Sequence, residues 1–166
     1  MSAIALSDVH IRNILLPGDL GYIAYIHGDL YAKECNYSLR FESYVLDGLK
    51  DFAKDYDVEK DKVWICLHND RIIGSLIAQH RKDQLQLRYF IFLPAYRGIG
   101  LGKLLMAEFI AFMQERQIKQ AYLWTTEEQQ AAIVLYERAG FRLTAESMSD
   151  TFGKPIRERR YDLTLT

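Results

Sequence analysis

The sequence is poor in cysteine, which limits the kinds of site it can build. Two cysteines occur among 166 residues, Cys35 and Cys66, and no CxxC spacing links them. This scarcity argues against a disulfide framework and against a zinc site, so no metal is expected. The pattern is typical of buried, reduced thiols in the cytosol, and we expect a cytoplasmic protein.

Strong charge and long apolar runs are also missing. The formal net charge is −1, whereas general nucleic-acid binders are usually strongly basic, so no nucleic-acid partner is expected. No apolar run approaches the roughly 20 residues that a membrane helix needs. Residues 1–8 lack the basic segment and the long apolar stretch of a secretory signal. We therefore expect no membrane partner.

What is present is an ordinary globular composition. Hydrophobic residues make up 49% of the chain and charged residues 26%. No internal repeat, linker or low-complexity tract interrupts the pattern. The length suits one domain with a full hydrophobic core. We therefore predict a single domain over residues 1–166.

The first half of the chain predicts both strands and helices. Strands are expected at residues 9–16, 63–68 and 71–79. Helices are expected at residues 29–35 and 38–54, the second with an apolar stripe of Phe41, Val45, Leu46, Leu49 and Phe52. Residues 21–26 fit either a strand or the start of a helix. Gly74, inside a strand, predicts a bulge or a close backbone approach.

The middle of the chain contains the clearest strand, at residues 85–93. Its alternate residues are expected to share one face, which consists of Leu85, Leu87, Tyr89, Ile91 and Leu93. Pro94 ends the strand, and a glycine-rich turn leads into a helix that ends near Gln117. The buried stripe predicted for this helix consists of Leu105, Phe109, Phe112 and Met113.

The last third predicts a strand, a helix and two further strands. The strand covers residues 120–125, and Thr126 and Gln129 match a capping box that opens the helix. Gly140 supplies a left-handed stop. The apolar face of this helix consists of Ala132, Leu135, Tyr136 and Ala139. The last strands are expected at residues 141–145 and 159–165, with a loop over residues 147–157.

The order of these elements predicts an α+β fold. Strand, turn, helix and strand in the middle of the chain form a βαβ unit, whose crossover should be right-handed. Hairpins join the flanking strands. We expect a mixed, mostly antiparallel sheet of about six to seven strands with helices on both faces.

The glycine-rich turn reads Arg97-Gly98-Ile99-Gly100-Leu101-Gly102-Lys103. The first N–H groups of a helix have no internal partners and attract phosphates, and glycines let the backbone approach closely. The spacing matches neither the P-loop nor the dinucleotide fingerprint. It matches a third phosphate pattern, R/Q-x-x-G-x-G/A, at Arg97, Gly100 and Gly102. A purely structural turn is the alternative.

A second segment, Leu135-Tyr136-Glu137-Arg138-Ala139-Gly140-Phe141, follows the turn further along the chain. With it, residues 85–141 resemble the GNAT superfamily of acetyl-CoA-dependent N-acetyltransferases. The resemblance implies two splayed central strands that hold acetyl-CoA. The residues that it assigns to this co-substrate are Ile91, Phe92, Leu93, Arg97, Gly98, Ile99, Gly100, Leu101, Gly102, Lys103, Gln129 and Tyr136.

A narrower resemblance is carried by residues 16–21, 27–31 and 152–153. These segments look like the acetyltransferase half of proteins that carry a MarR-type DNA-binding domain in front. No DNA-binding half is expected here, because the residues before Pro17 leave no room for one.

Tyr136 is the expected catalytic residue. By the resemblance, its hydroxyl meets the CoA sulfur. The pKa of a tyrosine, near 10, exceeds that of a thiol, near 8.5, which favours a hydrogen bond to the thiolate over full proton transfer. A core tyrosine on an amphipathic helix is the alternative. Acetyl transfer also needs a neutral amine, yet Gln86 stands where many family members place a glutamate base, and glutamine cannot accept a proton.

The acceptor site is predicted in the first third of the chain. The residues assigned to it are His27, Tyr31, Glu42 and Gln86, with Glu34 and Asp83 as further candidates for a base. We predict transfer of an acetyl group to a primary amine, on a small molecule or an amino acid rather than on a protein. The alternative, which Gln86 favours, is a non-catalytic acetyl-CoA-binding sensor or partner module. A homodimer is left open.

Overall fold

The computed structural model describes residues 4–166, which form seven strands and four α-helices. The strands are β1 (His10–Arg12), β2 (Lys62–His68), β3 (Arg71–Arg81), β4 (Gln84–Phe92), β5 (Gln120–Thr126), β6 (Arg142–Ser149) and β7 (Ile156–Thr164). The helices are α1 (Asp19–Cys35), α2 (Leu39–Asp55), α3 (Leu101–Glu115) and α4 (Gln130–Arg138). In the sheet order β1-β2-β3-β4-β5-β7-β6, only the β4–β5 pair is parallel. The predicted α+β fold is confirmed.

Helices cover both faces of the sheet. α3 and α4 pack on one face, where Phe109 and Phe141 are fully buried. α1 and α2 pack on the other face, through residues such as Ile23 and Phe52. The stripe predicted for α3 is confirmed, since all four of its residues are at most 3% exposed. Within residues 4–166, none of the helices is long and apolar enough to cross a membrane.

The start of the chain differs from the prediction. β1 covers only three residues of the strand expected at 9–16, and α1 runs unbroken through residues 21–26 and 29–35. Gly28 does not interrupt α1, and a Cβ at Gly28 would lie 3.2 Å from the Glu42 side chain. The glycine lets α1 and α2 approach each other. This role depends on a contact with another helix, so the spacing of residues within α1 could not predict it.

α2 confirms the helix predicted at residues 38–54. Ser38 caps it, because the Ser38 hydroxyl accepts a hydrogen bond of 3.2 Å from the Arg40 backbone N–H. Leu46, which was placed in the buried stripe, is instead 50% exposed. It follows the buried Val45 by one position, and a helix turns about 100° per residue, so Leu46 faces away from the sheet.

β4 contains a bulge at Tyr89, whose φ is 52° and beside which the register with β3 shifts. The single face predicted for residues 85–93 is therefore wrong, since the extra residue of a bulge reverses the alternation of side chains. Leu85 and Leu87 pack on the α3 side of the sheet. Tyr89 and Ile91 instead turn toward the side of α1 and α2.

β4 and β5 pair only at one end. Leu85 lies opposite Ala121 and Gln86 opposite Tyr122, and no further pairing joins these two strands in the described part of the chain. Beyond these residues the strands diverge. The divergence opens a wedge in the sheet, which is bordered by α1 and α2 on one side and by α4 on the other.

The predicted capping box at the start of α4 is wrong. Thr126 still belongs to β5, and its hydroxyl lies 2.9 Å from the Tyr37 hydroxyl. The Gln129 amide donates to the Cys35 sulfur at 3.2 Å, and no side chain within residues 4–166 caps the helix. Gly140, at φ 102°, follows the end of α4 as predicted.

The last two strands form a longer hairpin than predicted. β6 extends past residues 141–145 and β7 begins before residue 159, so the loop expected at 147–157 shrinks to residues 150–155. The longer β7 pairs Glu158 with Thr126 of β5. This pairing brings Glu158 to the border of the wedge.

Candidate active site

Two connected pockets occupy the wedge. The turn pocket, of about 480 Å³, is lined by α1, the end of β4, the glycine turn and α4, and includes Glu34, Phe92, Arg97, Gly98, Gly102 and Leu135. The aromatic pocket, of about 150 Å³, includes His27, Tyr37, Tyr44, Arg88, Tyr136 and Glu158. Tyr31, Phe90, Gln129 and Ala132 line both. A ligand could therefore reach from one pocket into the other.

The glycine turn has the geometry of an anion site. Gly98 and Gly100 have φ values of 79° and 92°, in the left-handed region that favours glycine. The first helical bond of α3 runs from the Leu104 N–H to the Gly100 carbonyl, at 3.0 Å. The preceding N–H groups, of residues 101–103, therefore have no partner inside the helix, and such groups attract phosphates.

Arg97 ties this turn to α1. Its guanidinium donates to Glu34 at 2.8 Å and to the Phe92 carbonyl at 3.2 Å. The Arg97 and Glu34 side chains are 44% and 40% exposed. The carboxylate of Glu34 therefore neutralises a cation at the mouth of the turn pocket.

The backbone of Leu93 is engaged within the protein. Its N–H donates to the Ile73 carbonyl at 2.8 Å, and its carbonyl accepts from the Tyr96 N–H at 2.9 Å. Of the three residues near the end of β4 that the resemblance assigns to the co-substrate, Ile91 and Phe92 line the turn pocket. Leu93 is not among the lining residues, and its N–H is already used.

Tyr136 borders the aromatic pocket. The residue is 5% exposed, and its ring lies 6.2 Å from that of Phe90, which borders both pockets. Burial raises the pKa of Tyr136 above its ordinary value, with a further increase from the nearby Tyr31. The phenol therefore stays protonated at neutral pH and can donate a hydrogen bond.

His27 lies in the same pocket as a neutral imidazole. Burial lowers its pKa to about 4; the hydrogen bond to the Ile23 carbonyl opposes this shift, and the charge of Arg88 adds to it. Nδ1 lies 2.7 Å from the Ile23 carbonyl oxygen and must therefore carry the proton. Nε2 is left as an acceptor. The ring stacks on Tyr31 at 6.0 Å.

Gln86 also lines the aromatic pocket, but its side chain is hydrogen-bonded to an arginine. Its side-chain oxygen accepts from Arg81 at 2.9 Å. A neighbouring glutamine, Gln79, accepts from Arg81 at 3.1 Å and from Arg88 at 3.2 Å. At this position β4 therefore presents an amide, as the sequence predicts, and a guanidinium group from β3 engages it.

The predicted carboxylates lie apart from the aromatic pocket. Glu42 packs beside Gly28 between the helices and lines neither pocket, so its assignment to the acceptor is not retained. Asp83 is exposed in the β3–β4 turn, and Glu34 lines the turn pocket. The carboxylate that does line the aromatic pocket is Glu158. Sequence reasoning missed it because the strand that carries it was predicted to begin one residue later.

Residues 4–166 contain no group of three or more His, Cys, Asp or Glu side chains that could hold a metal ion. Both cysteines are buried and free, as predicted. Burial raises the pKa of Cys66 to about 12 and also raises that of Cys35. Neither thiol is activated as a nucleophile.

The chain is similar to known acetyltransferases. The profile of the acetyltransferase (GNAT) family matches residues 29–141, more than half of the chain. The [ribosomal protein bS18]-alanine N-acetyltransferase of Haemophilus influenzae is 36% identical over 75 residues, which cover 45% of this chain and 51% of that protein. The chain spans about half the length of the first curated relatives that it matches.

Solved structures show the same fold. An acetyltransferase from Streptococcus agalactiae has a TM-score of 0.74 at 22% identity, with 96% of this chain and 100% of that chain covered. The spermidine N-acetyltransferase of Vibrio cholerae, in complex with CoA and spermine, has a TM-score of 0.68 at 18% identity, with 95% and 96% covered. The narrower resemblance to MarR-fused proteins finds no support among these relatives.

Proposed function

The chain belongs to the acetyltransferase (GNAT) family, and from this premise we propose that it transfers the acetyl group of acetyl-CoA to a primary amine. The observation that carries the proposal is the wedge between β4 and β5. It joins a cradle of unpaired helix N–H groups to a pocket that is bordered by Tyr136. We also propose that residues 1–166 form one such domain and that it acts in the cytoplasm.

Acetyl-CoA binds in the turn pocket. The pyrophosphate lies against the backbone of the turn, at Ile99, Gly100, Leu101, Gly102 and Lys103, where the helix start favours anions. The pantetheine arm follows β4 past Ile91 and Phe92 toward Gln129, which borders both pockets. This arrangement directs the thioester into the aromatic pocket.

The transfer step follows from the groups in that pocket. The neutral amine attacks the thioester carbonyl carbon, so that a C–N bond forms and the C–S bond breaks. The amine proton leaves to water or to the Glu158 carboxylate, which lines the same pocket, since Gln86 cannot accept it and His27, with a pKa of about 4, is a weak base. Tyr136 donates a hydrogen bond to the departing thiolate, and its raised pKa favours this over full proton transfer.

The acceptor is a small amine or an amino acid. The aromatic pocket has a volume of about 150 Å³, which suits a small amine or a single amino acid. Among the relatives, the Haemophilus protein is named for an alanine of a ribosomal protein, whereas the Vibrio structure contains spermine. The pocket volume favours the small-molecule alternative.

A non-catalytic acetyl-CoA-binding module is the second candidate. The observation that favours it is the absence of a carboxylate at Gln86, whose oxygen instead holds Arg81. Such a module would bind acetyl-CoA in the turn pocket without turning it over.

Two measurements distinguish these candidates. Thermal unfolding with acetyl-CoA, with NADH and ATP as controls, tests the donor site. Acetyl-CoA at a free concentration of 100 times its dissociation constant should add about 2.7 kcal/mol to the free energy of unfolding. Release of free CoA thiol with a panel of amines tests turnover. Binding with release supports the enzyme, binding without release on any amine supports the module, and a larger shift with ATP contradicts both.

A further inference from the structure

The aromatic pocket is lined by one cation and one anion that do not pair with each other. Arg88 projects from β4 and Glu158 from β7, on the two sides of the wedge. Within residues 4–166, neither side chain forms a salt bridge. A pocket that leaves two half-buried opposite charges unpaired is complementary to a ligand that carries both signs.

Arg88 has the environment of a carboxylate site. Its hydrogen bond goes to the neutral Gln79 oxygen, and in the part of the chain that the structure describes Arg81 beside it also donates only to glutamine oxygens. Its guanidinium lies 4.7 Å from the Tyr89 ring centre. The Tyr89 hydroxyl is buried and has no hydrogen-bond partner in the described residues.

The donors of Arg88 and Tyr89 also converge. Arg88 Nη2 and Tyr89 Oη each lie 2.5 Å from the point where a Cβ of Gly48 would stand. Both groups therefore pack against the α2 backbone at Gly48, and it is the Arg88 side chain, as a lining residue of the aromatic pocket, that can meet a ligand carboxylate. The bulge in β4 turns the Tyr89 side chain to the same face of the sheet as Arg88.

Glu158 has the environment of an ammonium site. The two arginines that flank it on β7, Arg157 and Arg159, both pair with Glu146 on β6. Their side chains therefore leave the Glu158 carboxylate unneutralised at the wedge. Trp124 and Tyr44, two other lining residues, are 44% and 45% exposed and offer aromatic surface to a cation.

We propose that the acceptor is a free amino acid, whose carboxylate binds Arg88 while its amino group lies on the Glu158 side. The inference rests on the proposed function, because it identifies the acceptor of that reaction. A peptide N-terminus or a polyamine lacks a carboxylate at this position and leaves the Arg88 charge without an anionic partner. A half-buried cation that stays without an anionic partner disfavours such acceptors.

The test compares free L-amino acids with their carboxamides and with the amines formed by removal of the carboxylate. Release of CoA thiol gives kcat and KM, and calorimetry with CoA present gives direct binding of the same compounds. For at least one amino acid, kcat/KM should exceed that of its carboxamide by about 10-fold or more, as expected for a charge-assisted pair. The difference should lie in KM.

Substitutions of Arg88 and Glu158 then test which residue binds the carboxylate and which binds the amino group of the acceptor. Arg88→Gln should raise KM for amino acids and leave KM for carboxamides unchanged, whereas Glu158→Gln should raise KM for both. Arg71→Gln and Glu115→Gln, which change exposed charges that line neither pocket, are the matched controls.

The outcomes separate this inference from the proposed function. Equal kcat/KM for amino acids and carboxamides overturns the inference while the transferase stands. Loss of acetyl-CoA binding and of all turnover overturns the transferase itself. If no compound is acetylated, binding of an amino acid but not of its carboxamide still supports the zwitterion site, and binding of neither overturns it.

Discussion

The Tyr37 hydroxyl lies 2.9 Å from the Thr126 hydroxyl and joins the connection between α1 and α2 to the end of β5. The two residues are 4% and 6% exposed and stand 89 positions apart in the chain. Both line the aromatic pocket. This bond therefore holds the helix layer against the sheet at the open end of the wedge.

Tyr37→Phe should lower the free energy of unfolding by about 1–2 kcal/mol, because the buried Thr126 hydroxyl loses its partner while the ring packing remains. Urea unfolding of both proteins measures the difference. Tyr25→Phe, at a residue that is 61% exposed, should change nothing. An unchanged stability in Tyr37→Phe would show that water replaces the bond.

The protein should lose stability as pH falls from about 6.5 to about 4. The pKa of His27 is lowered to about 4 in the folded state. The unfolded chain therefore binds more protons in this window, and acid stabilises it relative to the folded state. His27 contributes about 3 kcal/mol to the free energy of unfolding, and this contribution is present above pH 6.5 and lost below pH 4.

His27→Phe should remove this part of the pH dependence and keep the ring between Tyr31 and Tyr89. Unfolding midpoints measured from pH 4 to pH 7 for both proteins give the difference. His10→Phe, at an exposed residue, is the control. Parallel pH curves for native protein and His27→Phe would contradict a neutral, buried imidazole.

Gly100→Ala should weaken acetyl-CoA binding about 10-fold or more. Among the described residues only Leu6 comes within 4 Å of a Cβ at Gly100, at 3.9 Å, but the φ of 92° is strained for a residue with a side chain. The turn would relax and its N–H groups would shift. Gly21→Ala is the matched control, because its Cβ also meets nothing and its backbone is helical. Equal affinity in all three proteins would make the turn a purely structural feature.

Glu34→Gln should tighten acetyl-CoA binding, since it frees Arg97 and removes a negative charge from the mouth of the turn pocket. The pair is exposed, so the gain should be no more than about 5-fold and should shrink as salt is raised. Calorimetry at two salt concentrations measures it, with Glu115→Gln as the control. Weaker binding would mean that Glu34 is needed to position Arg97.

Much of the fold could be predicted because its signals are local. Residues 38–54 repeat apolar residues at helical spacing, and Gly140 marks a helix end through its own φ. The close approach predicted at Gly74 is confirmed, because a Cβ there would lie 2.5 Å from the Ile91 carbonyl oxygen. Each of these signals depends on residues near in the chain or on the chemistry of one residue type.

The departures from prediction arise from contacts between distant residues. Gly28 sits inside α1 because Glu42 packs against it, and Thr126 fails as a cap because its hydroxyl meets Tyr37. The bulge at Tyr89 reverses the side-chain pattern of β4, and no proline or glycine at this position indicates it in the sequence. The position of Glu158 depends on the register of the last strand against β5. None of these relationships is expressed in local spacing.

The most direct test of the proposed transferase is the rate of Tyr136→Phe at saturating acetyl-CoA. The substitution removes the hydroxyl and retains the ring that packs near Phe90 and Phe141. The hydroxyl acts mainly when charge develops on sulfur, so its loss should affect the rate and leave acetyl-CoA affinity unchanged.

With an acceptor found in the amine panel, kcat of Tyr136→Phe should fall by roughly 30- to 150-fold, as expected for a charge-assisted hydrogen bond. Its dissociation constant for acetyl-CoA, measured by calorimetry, should match that of the native protein, and Tyr25→Phe should retain native values in both assays. A variant that turns over at the native rate would contradict the assignment and make Tyr136 a core residue.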